Sequence, residues 1–111
     1  MSTDEVITTH QQELRRGTIV LACLTLLREP SYGYALLEQL SAAGFDVDAN
    51  TLYPLLRRLE RQGLVTSEWN TQEARPRKYY ATCPTGEDLV RVLREDWVRL
   101  DRALRALEEG A

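Results

Sequence analysis

The chain has two cysteines and one histidine among 111 residues, too few to build the clustered ligands of a metal site. Cys23 sits inside the apolar stretch Thr18-Ile-Val-Leu-Ala-Cys-Leu24 and reads as a buried free thiol, a small hydrophobe. With Cys83 it makes no disulfide framework. No apolar run approaches the roughly 18 residues of a membrane span. The opening Met1-Ser-Thr-Asp-Glu5 lacks the basic and apolar regions of a secretory signal, so the cytoplasm is the expected compartment. There is no nucleophile-elbow pattern, no glycine-rich phosphate loop and no paired Cys or His ligand set. An enzyme is therefore not expected, nor a cofactor. Repeats, low-complexity tracts and linkers are missing too, and the length suits one hydrophobic core rather than two.

Positive charge is also in short supply, since the net formal charge is −3. Its distribution matters more than its sum. Between Asn50 and Tyr80 six cations (Arg57, Arg58, Arg61, Arg75, Arg77, Lys78) face three carboxylates, a local +3 that leaves −6 for the rest. A basic patch on an acidic body is compatible with binding a phosphate backbone.

What is present is periodicity. Leu14, Ile19, Val20, Cys23, Leu26 and Leu27 recur at helical spacing and predict a first helix from about His10 to Arg28, stopped by Pro30. Ser31 is the expected cap of a second helix, with Leu36, Leu37 and Leu40 inward and Gly44 at its end. A third helix is expected from Asp48 or Asn50, with Leu52, Leu55, Leu56 and Leu59 in one apolar stripe and Gln62-Gly63 closing it. Pro54 implies a bent first turn or a short helix. Leu64 to Trp69 and Arg77 to Thr82 are rich in β-branched and aromatic residues and flank a polar stretch, which predicts a hairpin with a longer loop. A last helix is expected from about Pro84, a residue suited to a first helical position, to about Glu108. A Thr85–Asp88 capping pair is the alternative start.

In that last helix Leu89, Leu93, Trp97, Leu100, Leu104 and Leu107 are spaced as an a/d seam over nearly three heptads. A small domain already covered by three helices has little use for so long an apolar stripe. Pairing with a second copy is expected, against the alternative of packing back on its own core. The fold class is thus mainly α with a small β-hairpin. Residues 1–83 are expected to form a winged helix-turn-helix, and residues 84–111 a long C-terminal dimerisation helix.

The face of the third helix opposite its leucines carries Asn50, Thr51, Pro54, Arg57, Arg58 and Arg61, with Tyr53 at its edge. Recognition helices insert their N-terminal residues into the major groove, where Asn50, Thr51 and Tyr53 would reach base edges. Arg57 and Arg58 lie where phosphate contact is expected. Arg75, Arg77 and Lys78 stand at one side of the hairpin loop, a wing that would follow the backbone or the minor groove. Arg15 and Arg16 on the first helix either extend this patch or are simply solvated.

These segments resemble the PadR family of bacterial transcription regulators. The resemblance is carried by Leu14-Arg-Arg-Gly-Thr18, Tyr32-Gly-Tyr34, Asn50-Thr-Leu-Tyr-Pro-Leu-Leu-Arg-Arg-Leu-Glu60, Gly63-Leu64 and Arg75-Pro-Arg-Lys-Tyr-Tyr80, in the right order over nearly the whole chain. It implies a dimeric winged helix of the shorter kind, with a single C-terminal dimerisation helix. Such a protein is expected to be a repressor released from a pseudo-palindromic operator on double-stranded DNA by a small aromatic, amphipathic or cationic ligand. The resemblance also implies that Trp97 lines a flat cavity between subunits, with Asp101 one turn on as a carboxylate for a cation; the alternative is that Trp97 only fills the dimer seam. Ala74 stands where the family often has glycine, Thr82-Cys83 where a Leu-Thr pair usually caps the last helix, and Ala81 where many members carry a cation. Two other readings remain open: a winged helix serving protein assembly alone, and a DNA-binding regulator without an effector.

Overall fold

The computed structural model describes residues 2–110. The elements follow in the order α1 (Thr3–Leu26), β1 (Ser31–Tyr32), α2 (Gly33–Ala42), α3 (Ala49–Arg61), β2 (Val65–Asn70), β3 (Arg77–Thr82) and α4 (Pro84–Glu109). The helices and the hairpin fall where the sequence predicts them, with three differences at the edges.

The first is the start of α1, seven residues before the expected His10. Ser2 caps it, its hydroxyl accepting from the Glu5 amide at 3.1 Å, and Asp4 and Glu5 lie in the first turn. The cap and the favourable carboxylate–dipole geometry begin the helix without any apolar residue being buried. The second concerns Ser31, which does not cap α2. It is extended and pairs with Tyr80 of β3, while Tyr32 takes the cap position and makes no side-chain cap bond. Two residues carry no readable period, so this third strand was invisible in the sequence. The hairpin becomes a three-stranded antiparallel sheet in the order β1-β3-β2. The third difference is Pro54. Helix α3 is neither broken nor short, but runs 13 residues through it. Pro54 forfeits one hydrogen bond, to the carbonyl of Asn50, and Asn50 is exposed, so the loss falls on the solvent side.

Both α2 and α3 end in the same way. Gly44 and Gly63 take φ values of 96° and 74°, a left-handed conformation open to glycine at little cost. The chain then turns back so that the Phe45 amide donates to the Leu40 carbonyl at 2.8 Å and the Leu64 amide to the Leu59 carbonyl at 3.0 Å. These are Schellman closures, which satisfy carbonyls the helix leaves open. At the other end of α3 the Asp48 carboxylate accepts from the Thr51 amide at 2.9 Å.

The core gathers Leu24 and Leu27 of α1, Leu36 and Leu40 of α2, Leu52, Leu56 and Leu59 of α3, and Val90 of α4, all essentially inaccessible. Each such side chain stabilises the fold by about 1.5–3 kcal/mol through removal from water. Burial also pushes the Cys23 thiol up to about 12, so it stays neutral and packs as a hydrophobe. Helices α1 and α4 are tied to the sheet at one place. The Thr82 amide and hydroxyl donate to the Leu27 and Leu24 carbonyls at 2.8 and 2.7 Å, which occupies acceptors at the end of α1. Gly86 lies so close to the Leu64 carbonyl that a Cβ there would collide with backbone.

Pro84 holds the first position of α4 as expected, behind Cys83, which makes no side-chain cap bond. Of the six seam residues, Leu89 packs against the chain's own core and Leu93 is half-buried. Trp97, Leu100, Leu104 and Leu107 stand free, 52% to 71% exposed. Val6, Ile7 and Leu14 on the first half of α1 are exposed as well. The radius of gyration is 16.6 Å, against about 13 Å for a compact domain of this length. Two helical arms therefore leave the body, with the apolar side chains named above left largely uncovered by the described residues.

Candidate nucleic-acid interface

Helix α3 divides cleanly between its two faces. Leu52, Leu56 and Leu59 anchor it in the core, which turns Asn50, Thr51, Pro54, Arg57, Arg58 and Arg61 to solvent, with Tyr53 partly covered. Among the described residues Arg57, Arg58 and Arg61 form no ion pair within 4.0 Å. Their charge is available to an anionic partner.

The wing carries its three cations differently. Arg75 is exposed and without an ion pair among the described residues. Arg77 lies over the Tyr32 ring, 4.3 Å from its centroid, and 3.7 Å from the Glu73 carboxylate. Lys78 is turned back towards α3, its Nζ 3.5 Å from the Glu60 carboxylate and 5.5 Å from the centroid of the Tyr80 ring. The other oxygen of Glu60 accepts from the Ser67 hydroxyl of β2. Glu60 thus joins α3 to both strands of the wing, a connection between residues 18 apart that spacing along the chain does not disclose. The aromatic ring of Tyr32 meets Tyr79 edge to face at 5.5 Å, and the Tyr79 hydroxyl donates to Glu73. Burial, with the nearby Glu73 charge, raises the Tyr79 pKa above its ordinary value, so the phenol stays protonated.

Between the wing and the helix pair lies a half-open cleft of about 590 Å³. Tyr32, Tyr34, Tyr53, Trp69 and Tyr80 supply its rings, and Arg75, Arg77 and Lys78 its charge. The close packing of Tyr53 on Gly33, where a Cβ would strike the ring, brings α3 against the start of α2 and forms the floor. The sequence places Tyr32 at the start of the second helix, Trp69 at the end of a strand and Glu60 in the third helix, with no role for any of them at the interface; the structure adds that Trp69 is exposed.

The two effector candidates lie elsewhere. Trp97 projects from the free half of α4, and the Asp101 carboxylate accepts from Arg105 at 3.1 Å. Among the described residues no group of His, Cys, Asp and Glu could hold a metal ion, and no helix is long and apolar enough to cross a membrane.

Three helices, a sheet-borne wing and a basic outward face on the third helix define a winged helix-turn-helix of the transcription-regulator class. Comparisons with known proteins narrow the class. The model of the PadR-like transcriptional regulator family matches residues 20–92. A PadR family regulator from Eggerthella lenta DSM 2243 superposes with a TM-score of 0.91 at 45% identity, covering 97% of this chain and 96% of that one. A transcriptional regulator from Clostridium thermocellum superposes with a TM-score of 0.77 at 27% identity, covering 84% and 95%. A transcriptional regulator of Mycobacterium tuberculosis is 40% identical over 80 residues, which span 72% of this chain and 65% of that protein. The chain belongs to the PadR-like family of transcriptional regulators, and neither the family nor these relatives are enzymes.

Proposed function

We propose that the protein is a homodimeric, cytoplasmic DNA-binding regulator that reads double-stranded DNA with α3 and steadies itself with the wing. The observation that supports this most is the outward face of α3: Asn50, Thr51 and Tyr53 at its leading end, and Arg57 and Arg58 behind them, without an ion pair among the described residues. Small polar side chains at the front suit base edges, and arginines further back suit phosphates. Arg75 and Arg77 extend the basic surface along the wing. Lys78, held by Glu60, fixes the wing's position in addition to supplying charge.

The free halves of α1 and α4 supply the surface for a second copy. Two such subunits would present two copies of α3 to a pseudo-palindromic operator, about one helical turn of DNA apart. Residues 84–111 serve this pairing on our reading, although Leu89 and Val90 also complete the core of the winged helix. Within the pair, Trp97 faces the seam as a platform for a planar aromatic or cationic ligand, with Asp101 beside it. A ligand there releases DNA only by binding more tightly to the subunit arrangement that DNA does not accept, which would make the protein a repressor. The Asp101–Arg105 pair favours a second reading, in which the carboxylate is already satisfied and DNA binding proceeds without an effector.

The test is binding of the purified protein to the DNA upstream of its own gene, with random DNA as control, at two salt concentrations. Binding well above the control is expected, followed by its loss when planar aromatic compounds are added. Equal and weak binding to both DNAs would move the protein to a partner-binding role.

A further inference from the structure

We propose that the cleft between the wing and the start of α2 holds the sugar–phosphate backbone of one DNA strand, with Tyr34 and Trp69 as its aromatic walls. This deepens the DNA-binding reading and rests on it. Trp69 is 65% exposed and Tyr34 60% exposed, although each ring could remove a large apolar area from water. Both face one cleft, which lies beside the end of α3 that would enter the groove.

Among the described residues no carboxylate lines that cleft, and three cations do. Of the acidic groups nearby, Glu60 and Glu73 are taken up by Lys78 and Arg77, and Glu38 stands behind Tyr34 on α2. Arg75 is left to meet a phosphate, while the ring faces of Tyr34 and Trp69 suit the apolar side of a deoxyribose. The nearby Glu38 carboxylate raises the Tyr34 pKa, so the phenol stays neutral. With a carboxylate beside its hydroxyl, Tyr34 is better placed to offer an anionic backbone its ring than its oxygen. Such contacts are sequence-independent and uncharged, so they add affinity for every duplex without adding to the salt dependence.

The experiment compares the full-length parent with Trp69→Leu, Tyr34→Ala, Tyr34→Phe and Arg75→Gln. Each is titrated with the upstream duplex and with a random duplex over a salt series, and circular dichroism checks that each variant is folded. Trp69→Leu and Tyr34→Ala are expected to weaken binding to both duplexes equally, by about tenfold, the scale of one aromatic contact. Their salt slope should match the parent's. Tyr34→Phe should bind as the parent does, and Arg75→Gln should lower the slope by about 0.9, one phosphate contact. In a Trp97→Phe chain, where Trp69 is the sole tryptophan, either duplex should change the fluorescence.

Parental affinity for both duplexes in folded Trp69→Leu and Tyr34→Ala would overturn the proposal while leaving DNA binding intact. So would a loss confined to the upstream duplex, which would mean base contact. Quenching of Trp69 by 2-naphthoate but not by DNA would overturn it too and assign the cleft to a small aromatic anion. A parent that binds neither duplex would bring down the DNA-binding reading itself.

Discussion

Leucine plays opposite parts in the body and in the arms. Leu24, Leu27, Leu36, Leu40, Leu52 and Leu56 are inaccessible to solvent, whereas Leu100, Leu104 and Leu107 of α4 are mostly in water. Both sets recur at helical spacing, so local pattern does not separate them. Position along α4 does. Its first turns meet the core through Gly86, Leu89 and Val90, and at 1.5 Å of rise per residue its last turns run well past the body's edge. The body is stabilised by burial within one chain, whereas in the proposed dimer the arms would acquire theirs from another.

The sharpest way to break this contrast is to charge the arm. Leu100→Glu together with Leu104→Glu is expected to abolish the dimer while leaving the circular dichroism spectrum of the body intact, as read by sedimentation. A variant that still sediments as a dimer would end the seam assignment. Substitution serves better than truncation after Gly86, because truncation would also remove Leu89 and Val90 from the core. Next in size is Leu56→Ala, expected to cost about 2–5 kcal/mol in urea unfolding through loss of transfer energy and a residual cavity. Gly86→Ala should cost about 1–3 kcal/mol, since the new methyl meets the Leu64 carbonyl and α4 must shift. Asp101→Asn, which breaks an exposed pair with Arg105, should change stability by less than about 1 kcal/mol. An effect of Asp101→Asn as large as that of Leu56→Ala would show that the arm is part of the body after all.

The same contrast explains how much could be read in advance. Long periodic segments bury one face, so α2, α3, α4 and the position of the hairpin were legible, and with them the outward residues Asn50, Thr51, Tyr53, Pro54, Arg57 and Arg58. Features made by contact between distant segments were not. Strand β1 exists because Ser31 and Tyr32 meet Tyr80 and Tyr79 of β3. Lys78 reads as a free wing cation until Glu60 arrives beside it. The cleft needs Tyr34, Tyr53 and Trp69 from three elements at once. The early start of α1 is a different case: Ser2, Asp4 and Glu5 carry the cap signal, but the apolar period begins only further along, because the first turns bury no apolar face.

In the proposed dimer, paired arms set two copies of α3 on one face of a DNA duplex. Hydroxyl-radical footprinting of the upstream DNA tests it directly. Two protected patches are expected, centred about 10–10.5 bp apart or a whole multiple of that, and related by the pseudo-twofold symmetry of the site. A single patch, or protection spread evenly along the duplex, would contradict it.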